Sequence, residues 1–437
     1  MNKVISIIGA GLAGCECAWI LANNNIKVKL YEMKPENKSE AHTSNDFAEL
    51  VCSNSLKSES LTNACGLLKK EMEILDSLFI RAAYKAKIPA GQALAVDRDI
   101  FSKYITEKIK SNGNIEIINK EVCNVDDIDG IKVIATGPLT TSKLMENLKK
   151  KIGDDSLYFF DAAAPIIDAD SIDYSKAYFM DRYGTVGQGD YLNLSMNKEE
   201  YLTFYNELIN AKSANRHSFD KLLLFEGCMP IEEMAKRGEK TLVFGPLKPV
   251  GLENPDIDEK PYAVVQLRAE NEEKTIYNMV GFQTSLAFGE QKRVFSLIPG
   301  LENAKFERYG VMHKNTYING GKLLDNNFCL EKDKDIYFAG QISGVEGYVE
   351  SAASGLMVAY SIIKRLKNEK IEFPEDTMLG SLAKYVSTEN KNYQPMNANF
   401  GILKPLDKKI KDKKEKYTLL SNRAQKSIQE FKEKNLK

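Results

Sequence analysis

The sequence predicts an α/β fold in which a Rossmann-type nucleotide-binding domain is interrupted by an inserted α+β domain, and three observations carry that expectation. A β-branched run from Lys3 to Ile8 stops at a glycine cluster, and a helix-patterned stretch and a second strand follow it. Two further strand-then-glycine segments, Gly130 to Gly137 and Asp335 to Gly340, lie far downstream. Between them, from about 146 to 304, the texture changes to Tyr-rich mixed segments that read as antiparallel strands with intervening helices. The nucleotide-binding domain is therefore expected to be discontinuous, residues 1–145 and 305–437, the second part ending in a basic tail, with 146–304 inserted as the substrate side. Two domains suit 437 residues, since single cores stop growing at roughly 250–300.

The first element runs directly into Gly9-Ala10-Gly11-Leu12-Ala13-Gly14, a G-x-G-x-x-G pattern at the start of a helix expected over Leu12 to Asn23. Gly9 permits a tight turn, Gly11 lets backbone approach a pyrophosphate, and Gly14 lets the helix pack closely on the strand; the helix N-terminus offers N–H donors to phosphate. The next strand, Ile26 to Tyr31, ends at Glu32, eighteen residues after Gly14, where a carboxylate can accept from ribose hydroxyls. The motif alone does not separate NAD from FAD. The later segments, Val133 to Gly137 and Ile336 to Gly340, resemble strands of two-dinucleotide FAD folds that pass close to the flavin. This adds Gly137, Gly340, Gln341, Gly344 and Gly347 to the expected cofactor contacts. Many such folds carry Asp where Gln341 stands, and Gln still donates and accepts. The small-residue helix from Glu350 to about Lys364 would bring its N-terminus against the flavin ring. The fold class expected is thus α/β, a Rossmann-type FAD-binding domain with an inserted α+β domain.

Hydrophobic residues make up 43% of the chain and charged residues 28%, the profile of a soluble globular protein. The apolar N-terminal stretch is short and broken by glycines, which fits neither a secretory signal nor a membrane span, so a cytoplasmic location is expected. Three scattered histidines leave little for a His-based metal site, and no metal is expected. The net charge is −1, yet residues 404–437 hold twelve Lys or Arg against five Asp or Glu, a net of +7, leaving −8 elsewhere. A solvated terminal helix is the plain reading of that tail.

Seven cysteines without paired spacing make neither a zinc site nor a disulfide scaffold. Cys15 and Cys17 fall in the first helix, Cys123 in an expected strand, and Cys329 in an apolar run; these read as small buried hydrophobes. Cys65, before Gly66, has no assignment. Cys52, in Leu50-Val51-Cys52-Ser53-Asn54, and Cys228, in Glu226-Gly227-Cys228-Met229-Pro230, stand beside turn residues. From the residues alone each is either inert and buried or a reactive thiol at a cleft.

The segments GAGLAG (9–14), HTSNDFAELVCSNSL (42–56), PAGQALAVDRDIFS (89–102), ATGPLT (135–140), FEGCMPIEEMAKRGEKTLVFGPLKPVGL (225–252), the block 278–319 and YFAGQISGVEGYVESAASGL (337–356) are similar to the bacterial folate- and FAD-dependent tRNA (uracil-5-)-methyltransferase family, TrmFO. The resemblance covers nearly the whole chain before the tail. It implies FAD as cofactor, methylenetetrahydrofolate as one-carbon donor, NADPH or NADH as reductant, and an RNA partner, tRNA or alternatively ribosomal RNA. It also implies that Cys228 adds to carbon 6 of uracil and that Cys52 helps remove the carbon 5 proton. Cysteine suits the first task because it combines nucleophilicity with easy departure. Departures from the family pattern are Thr185-Val186 and Ser195, in a stretch expected to face RNA or folate.

Cationic candidates for RNA contact are Arg182, Lys236, Arg237, Lys240, Lys248, Arg268, Lys292, Arg293, Arg308 and the tail. Two rivals are a small-molecule FAD/NADPH oxidoreductase, which would turn over without folate or RNA, and a non-catalytic flavin-bound RNA-binding scaffold.

Overall fold

The computed structural model describes residues 4–39, 41–153, 156–214, 229–254, 260–391 and 393–436; Cys228 and His217 lie outside them. Five parallel strands form one sheet in the order Ile336–Phe338, Lys132–Ile134, Ile5–Ile8, Val28–Glu32, Ile115–Asn119. Chain order thus reverses on either side of Ile5–Ile8. In open α/β sheets that reversal opens a crevice at the carboxyl ends of the strands, where ligands bind. The central strand is buried along its length, as expected for a sheet covered on both faces.

The helix Leu12–Asn23 covers one face and meets the long helix Tyr348–Leu366 closely. Small residues make that approach possible. A Cβ on Gly14 would lie 1.9 Å from the Gly9 carbonyl oxygen, and one on Gly355 would lie 2.2 Å from the carbonyl oxygen of Ala13. Both expected glycine-motif elements are present, with the second strand two residues later than its pattern began. Cys123 departs from expectation: it lies in an irregular, partly exposed segment after Ile115–Asn119, because the strand stops once its pairing with Val28–Glu32 is used up. Cys15, Cys17, Cys65 and Cys329 are buried.

A second sheet has six antiparallel-paired strands, ordered Ala177–Phe179, Tyr191–Met196, Ala263–Ala269, Ile276–Met279, Ile166–Asp168, Phe306–Arg308. The helices Lys198–Asn210 and Phe288–Phe295 supply its apolar cover. Asn197 and Glu200 start the first of these with a reciprocal capping box. Leu192, Leu194, Met196, Phe204, Leu267, Phe282 and Phe295 belong to this core, which is separate from the one around the parallel sheet. The ribbon Ser156–Ala162 with Met312–Ile318 carries the chain out to the second sheet and back.

The basic tail ends in the helix Lys413–Asn435. It is more than a solvated helix. Leu420, Ala424, Ile428 and Phe431, at spacings of four, four and three, form a buried edge that packs toward the helix Ala64–Ile74, while most of its lysines stay exposed.

Candidate active site

A cleft of about 1160 Å3, measured to its open mouth, lies at the strand reversal. Its floor is the glycine turn after Ile5–Ile8, its walls the residues following Val28–Glu32, Lys132–Ile134 and Ile336–Phe338. Gly9, Ala10, Gly11, Leu12, Ala13, Glu32, Gly137, Gly340 and Gln341 all line it. Gly9 has φ +102°, and a Cβ there would meet the Ala135 carbonyl oxygen at 2.6 Å, so both conformation and space call for glycine. Gly11 differs. Its φ of −75° suits any residue, and a Cβ would have nothing nearer than 4.0 Å, so it would project into open cleft.

The helix Leu12–Asn23 has no side-chain cap, which leaves its first N–H groups open to an anion. Glu32 accepts from the Ala10 N–H at 2.8 Å and from the Lys34 N–H at 2.9 Å. These bonds lock the carboxylate in place and leave a lone pair on each oxygen for ribose hydroxyls. Thr141 Oγ1 is buried beside the cleft with no hydrogen-bond partner among the described residues. An uncapped helix end, an anchored carboxylate, an orphaned hydroxyl and unfilled space at Gly11 and Gly137 together fit a dinucleotide.

Three of the expected residues are not among those lining this cleft, and Gly14 has the packing role its place in the motif predicts. Gly14 packs helix on strand, Gly344 lies against the Tyr393 hydroxyl, and Gly347 is the cap residue of Tyr348–Leu366 with φ +114°. None of the three lines the cleft. Gln341 does, and its side-chain amide donates to the Glu346 carboxylate.

Cys52 is half-buried and follows Val51, which lines the cleft. Tyr348, another lining residue, holds this segment: its hydroxyl accepts from the N–H of Cys52 at 2.7 Å and of Ser53 at 3.1 Å. Burial, then the neighbouring Cys52, raises the Tyr348 hydroxyl, so it stays protonated. The opposite side of the segment is gripped by arginines. Arg98 donates to the carbonyl oxygens of Leu50 at 2.7 Å and Cys52 at 3.4 Å. Arg308 donates to those of Val51 and Cys52, each at 3.2 Å. Arg268 reaches Ser53 Oγ at 2.9 Å and Asn54 Oδ1 at 3.0 Å. The side chain of Glu270 pairs with Arg98 at 2.6 Å.

Arg268 and Arg308 were candidate RNA contacts by sequence, and their guanidiniums are committed to the protein instead. Arg182 is likewise engaged, donating to the carbonyls of Lys248 and Val250, and Arg293 pairs with Glu207 and Glu290. Lys236 pairs with Glu233 on the surface. Lys240 and Lys292 are exposed. Tyr348 and Arg98 were not anticipated from sequence. A Tyr opening a small-residue helix just after Gly347 was the available signal for the first, and nothing local marks the second.

The fold and the cleft together define a Rossmann-type dinucleotide-binding protein. The family model described as "Glucose inhibited division protein A" matches residues 4–370. The chain is similar in fold to GidA of Aquifex aeolicus, with a TM-score of 0.70 at 15% identity, covering 98% of this chain and 73% of that one. It is 56% identical over 425 residues to the methylenetetrahydrofolate–tRNA-(uracil-5-)-methyltransferase TrmFO of Fusobacterium nucleatum, covering 97% of this chain and 98% of that one. It is also 56% identical over 433 residues to the TrmFO of Acetivibrio thermocellus, covering 99% of each. The chain belongs to the TrmFO family, within the wider GidA group.

Proposed function

We propose that this chain methylates carbon 5 of a uracil in RNA, with methylenetetrahydrofolate as one-carbon donor, FAD in the cleft and NADPH or NADH as reductant. The observation that carries this reading is the attachment of the Cys52 segment to Tyr348, a residue of the dinucleotide cleft. A thiol held beside the cleft suits chemistry that needs a flavin and a sulfur together. Gly9 to Ala13 and Glu32, with Gly137, Gly340 and Gln341, would hold FAD, which would supply the electrons that bring the one-carbon unit to the methyl level. Cys228, outside the described residues, adds its sulfur to carbon 6, which makes carbon 5 nucleophilic. Cys52 then accepts the proton that leaves carbon 5.

A uridine of tRNA is the favoured target, in keeping with the names of the relatives, and within tRNA we place it in the T-loop. A ribosomal uridine is the second reading. It rests on Thr185 and Val186, which depart from the family pattern and sit in an exposed turn beside Tyr183, itself 73% exposed. Ser195 does not bear on the choice in the same way, since its hydroxyl is in reach of Tyr178 Oη at 3.2 Å, away from the surface turn. We assign residues 146–304 to the RNA side and the remainder to the flavin side.

The test is to incubate purified flavin-loaded protein with the folate donor, a nicotinamide reductant and total RNA from cells lacking the activity. The expected result is 5-methyluridine in the tRNA fraction. Its appearance in ribosomal RNA alone would move the assignment to the second reading. Reductant oxidation with no methylated RNA would support a small-molecule oxidoreductase.

A further inference from the structure

Tyr183 and Phe244 are 73% and 77% exposed, the two most exposed large hydrophobic side chains among the described residues. Val250, 47% exposed, is a third. Tyr183 lies in the turn between the strands Ala177–Phe179 and Tyr191–Met196; Phe244 ends the short helix Thr241–Phe244, and Val250 follows in the next loop. The two loops are fastened together. The Arg182 guanidinium donates to the carbonyl oxygens of Lys248, at 3.1 Å, and of Val250, and the Tyr183 N–H donates to the Gly251 carbonyl oxygen at 2.6 Å. Tyr183 has φ +64°, a left-handed conformation uncommon for a bulky residue. Gly251 has φ +81°, and a Cβ there would lie 2.6 Å from Cδ1 and Cε1 of the Tyr183 ring. Gly251 thus backs one side of the ring, and a larger residue would push the ring away. A ring strained into place yet left in water adds nothing to the core, and backbone outliers of this kind gather at ligand contacts.

We propose that Tyr183 is a stacking platform for an unpaired base of the RNA substrate, with Lys240 and Lys248, four residues before and after Phe244, meeting the adjoining phosphates. This rests on the reading of the chain as acting on RNA. Every base has a π-face, so an exposed aromatic ring accepts one with little regard to sequence. Bases within a duplex are covered on both faces by their neighbours, and only an unpaired one can be splayed onto a side chain. Charge favours the same partner: residues 236–251 hold four Lys or Arg against one Glu, with Lys240 exposed and Lys248 partly so. A second copy of the chain suits this surface less. A stable interface covers roughly 800 Å2 on each partner, whereas the three apolar side chains here are set among Gly184, Thr185, Gln188 and lysines. The folate suits it less as well, since its one-carbon unit has to meet the flavin in the cleft, which Tyr183 does not line.

The experiment measures, across a salt series, how the flavin-loaded protein binds an unmodified tRNA transcript, or purified ribosomal RNA if the parent methylates that instead. Tyr183→Asn removes the ring and keeps a side chain that tolerates the left-handed backbone. It should weaken binding by about tenfold and leave the slope of log affinity against log salt unchanged, because a ring contact releases no counterions. KM for RNA should rise in step, with kcat changed less. Tyr183→Phe should bind as the parent does. Tyr183→Trp should also bind, and its new indole emission should be quenched when RNA is added, measured over the background of the parent's one tryptophan, Trp19. If Tyr183→Asn fails to fold, the quenching in Tyr183→Trp still decides. Unchanged affinity in a folded Tyr183→Asn, or no quenching in Tyr183→Trp, overturns the proposal and leaves the RNA reading standing, so long as the parent binds and methylates the RNA. A raised KM for methylenetetrahydrofolate with RNA affinity unchanged would give the ring to the folate, and an altered sedimentation coefficient would give it to a contact between copies; each overturns the proposal. A parent that binds neither RNA sinks the RNA reading and the platform together.

Discussion

The proposed reaction gives Cys52 and Cys228 different roles, and substitution should separate them. Cys228→Ala is expected to keep FAD and its reduction, to lose methylation, and to form no covalent adduct with RNA carrying 5-fluorouracil. Fluorine cannot leave carbon 5 as a proton does, so a sulfur bonded to carbon 6 stays trapped after transfer. Cys52→Ala should lose methylation yet still become attached to that RNA, which a denaturing gel would show. Loss of flavin from Cys228→Ala would point to a structural role instead. Buried carboxylates give a second prediction. Glu71, fully buried, accepts from the N–H groups of Met378 and Leu379 at the start of the helix Met378–Val386, and burial raises it to about 8 despite those bonds. Glu16 serves Leu78 and Phe79 at the start of Leu78–Lys85 in the same way, raised by burial to about 7. A folded-state value above the unfolded one means that the stability these groups contribute is present in full below about pH 4.5 and is lost as pH rises through 7 to 8. Thermal melts should therefore decline across that window, and Glu71→Gln, uncharged throughout, should show a shallower decline. An equal decline in both proteins would mean that the anion is well tolerated there.

Among elements, the turn into Leu12–Asn23 is where sequence and site coincide most closely. The motif glycines do different work: Gly9 meets a backbone oxygen, Gly14 meets the turn behind it, and Gly11 faces open cleft. Gly11→Leu should then fold normally, because its φ is ordinary and its space is free, yet purify without flavin. The check is the visible spectrum alongside the melting temperature, and a yellow variant would remove Gly11 from the site. The helix Lys413–Asn435 shows the reverse case. Its composition reads as solvated, and its net charge hides the apolar edge that Leu420, Ala424, Ile428 and Phe431 bury. Phe431 packs against Phe373 in a tilted pair with ring centres 4.8 Å apart, and the Lys432 ammonium donates to Asp76 at 3.1 Å. Deleting the tail would thus expose core as well as remove charge.

At the scale of the whole molecule, charge is distributed unevenly along a chain of net −1, and the arginines nearest the cleft are spent on the protein itself. RNA affinity is then expected to depend on exposed lysines such as Lys408, Lys409 and Lys411 in the tail. Replacing these three by Glu leaves the buried edge of the last helix intact. The slope of log affinity against log salt should become shallower by about 0.7 to 0.9 for each phosphate that is no longer neutralised. An unchanged slope would place the RNA-facing cations elsewhere.

The sequence by itself determined the α/β class, the glycine turn, Glu32 and the strands at 132–134 and 336–338, because each is a local event: a strand period, a turn that only glycine allows, a carboxylate at a strand end. It also carried the family resemblance. It does not show where Gly344 and Gly347 sit, since their approach to Tyr393 and Glu350 depends on how the chain folds back. It also read Arg268 and Arg308 as candidates for RNA contact. Only the tertiary structure decided their fate, by bringing positions 98, 268, 270, 308 and 348 around residues 50–54 from sequence separations of tens to hundreds of residues. Periodicity and composition report on neighbours a few residues apart, whereas the anchoring of residues 50–54 is set by groups that meet only once the whole chain has folded.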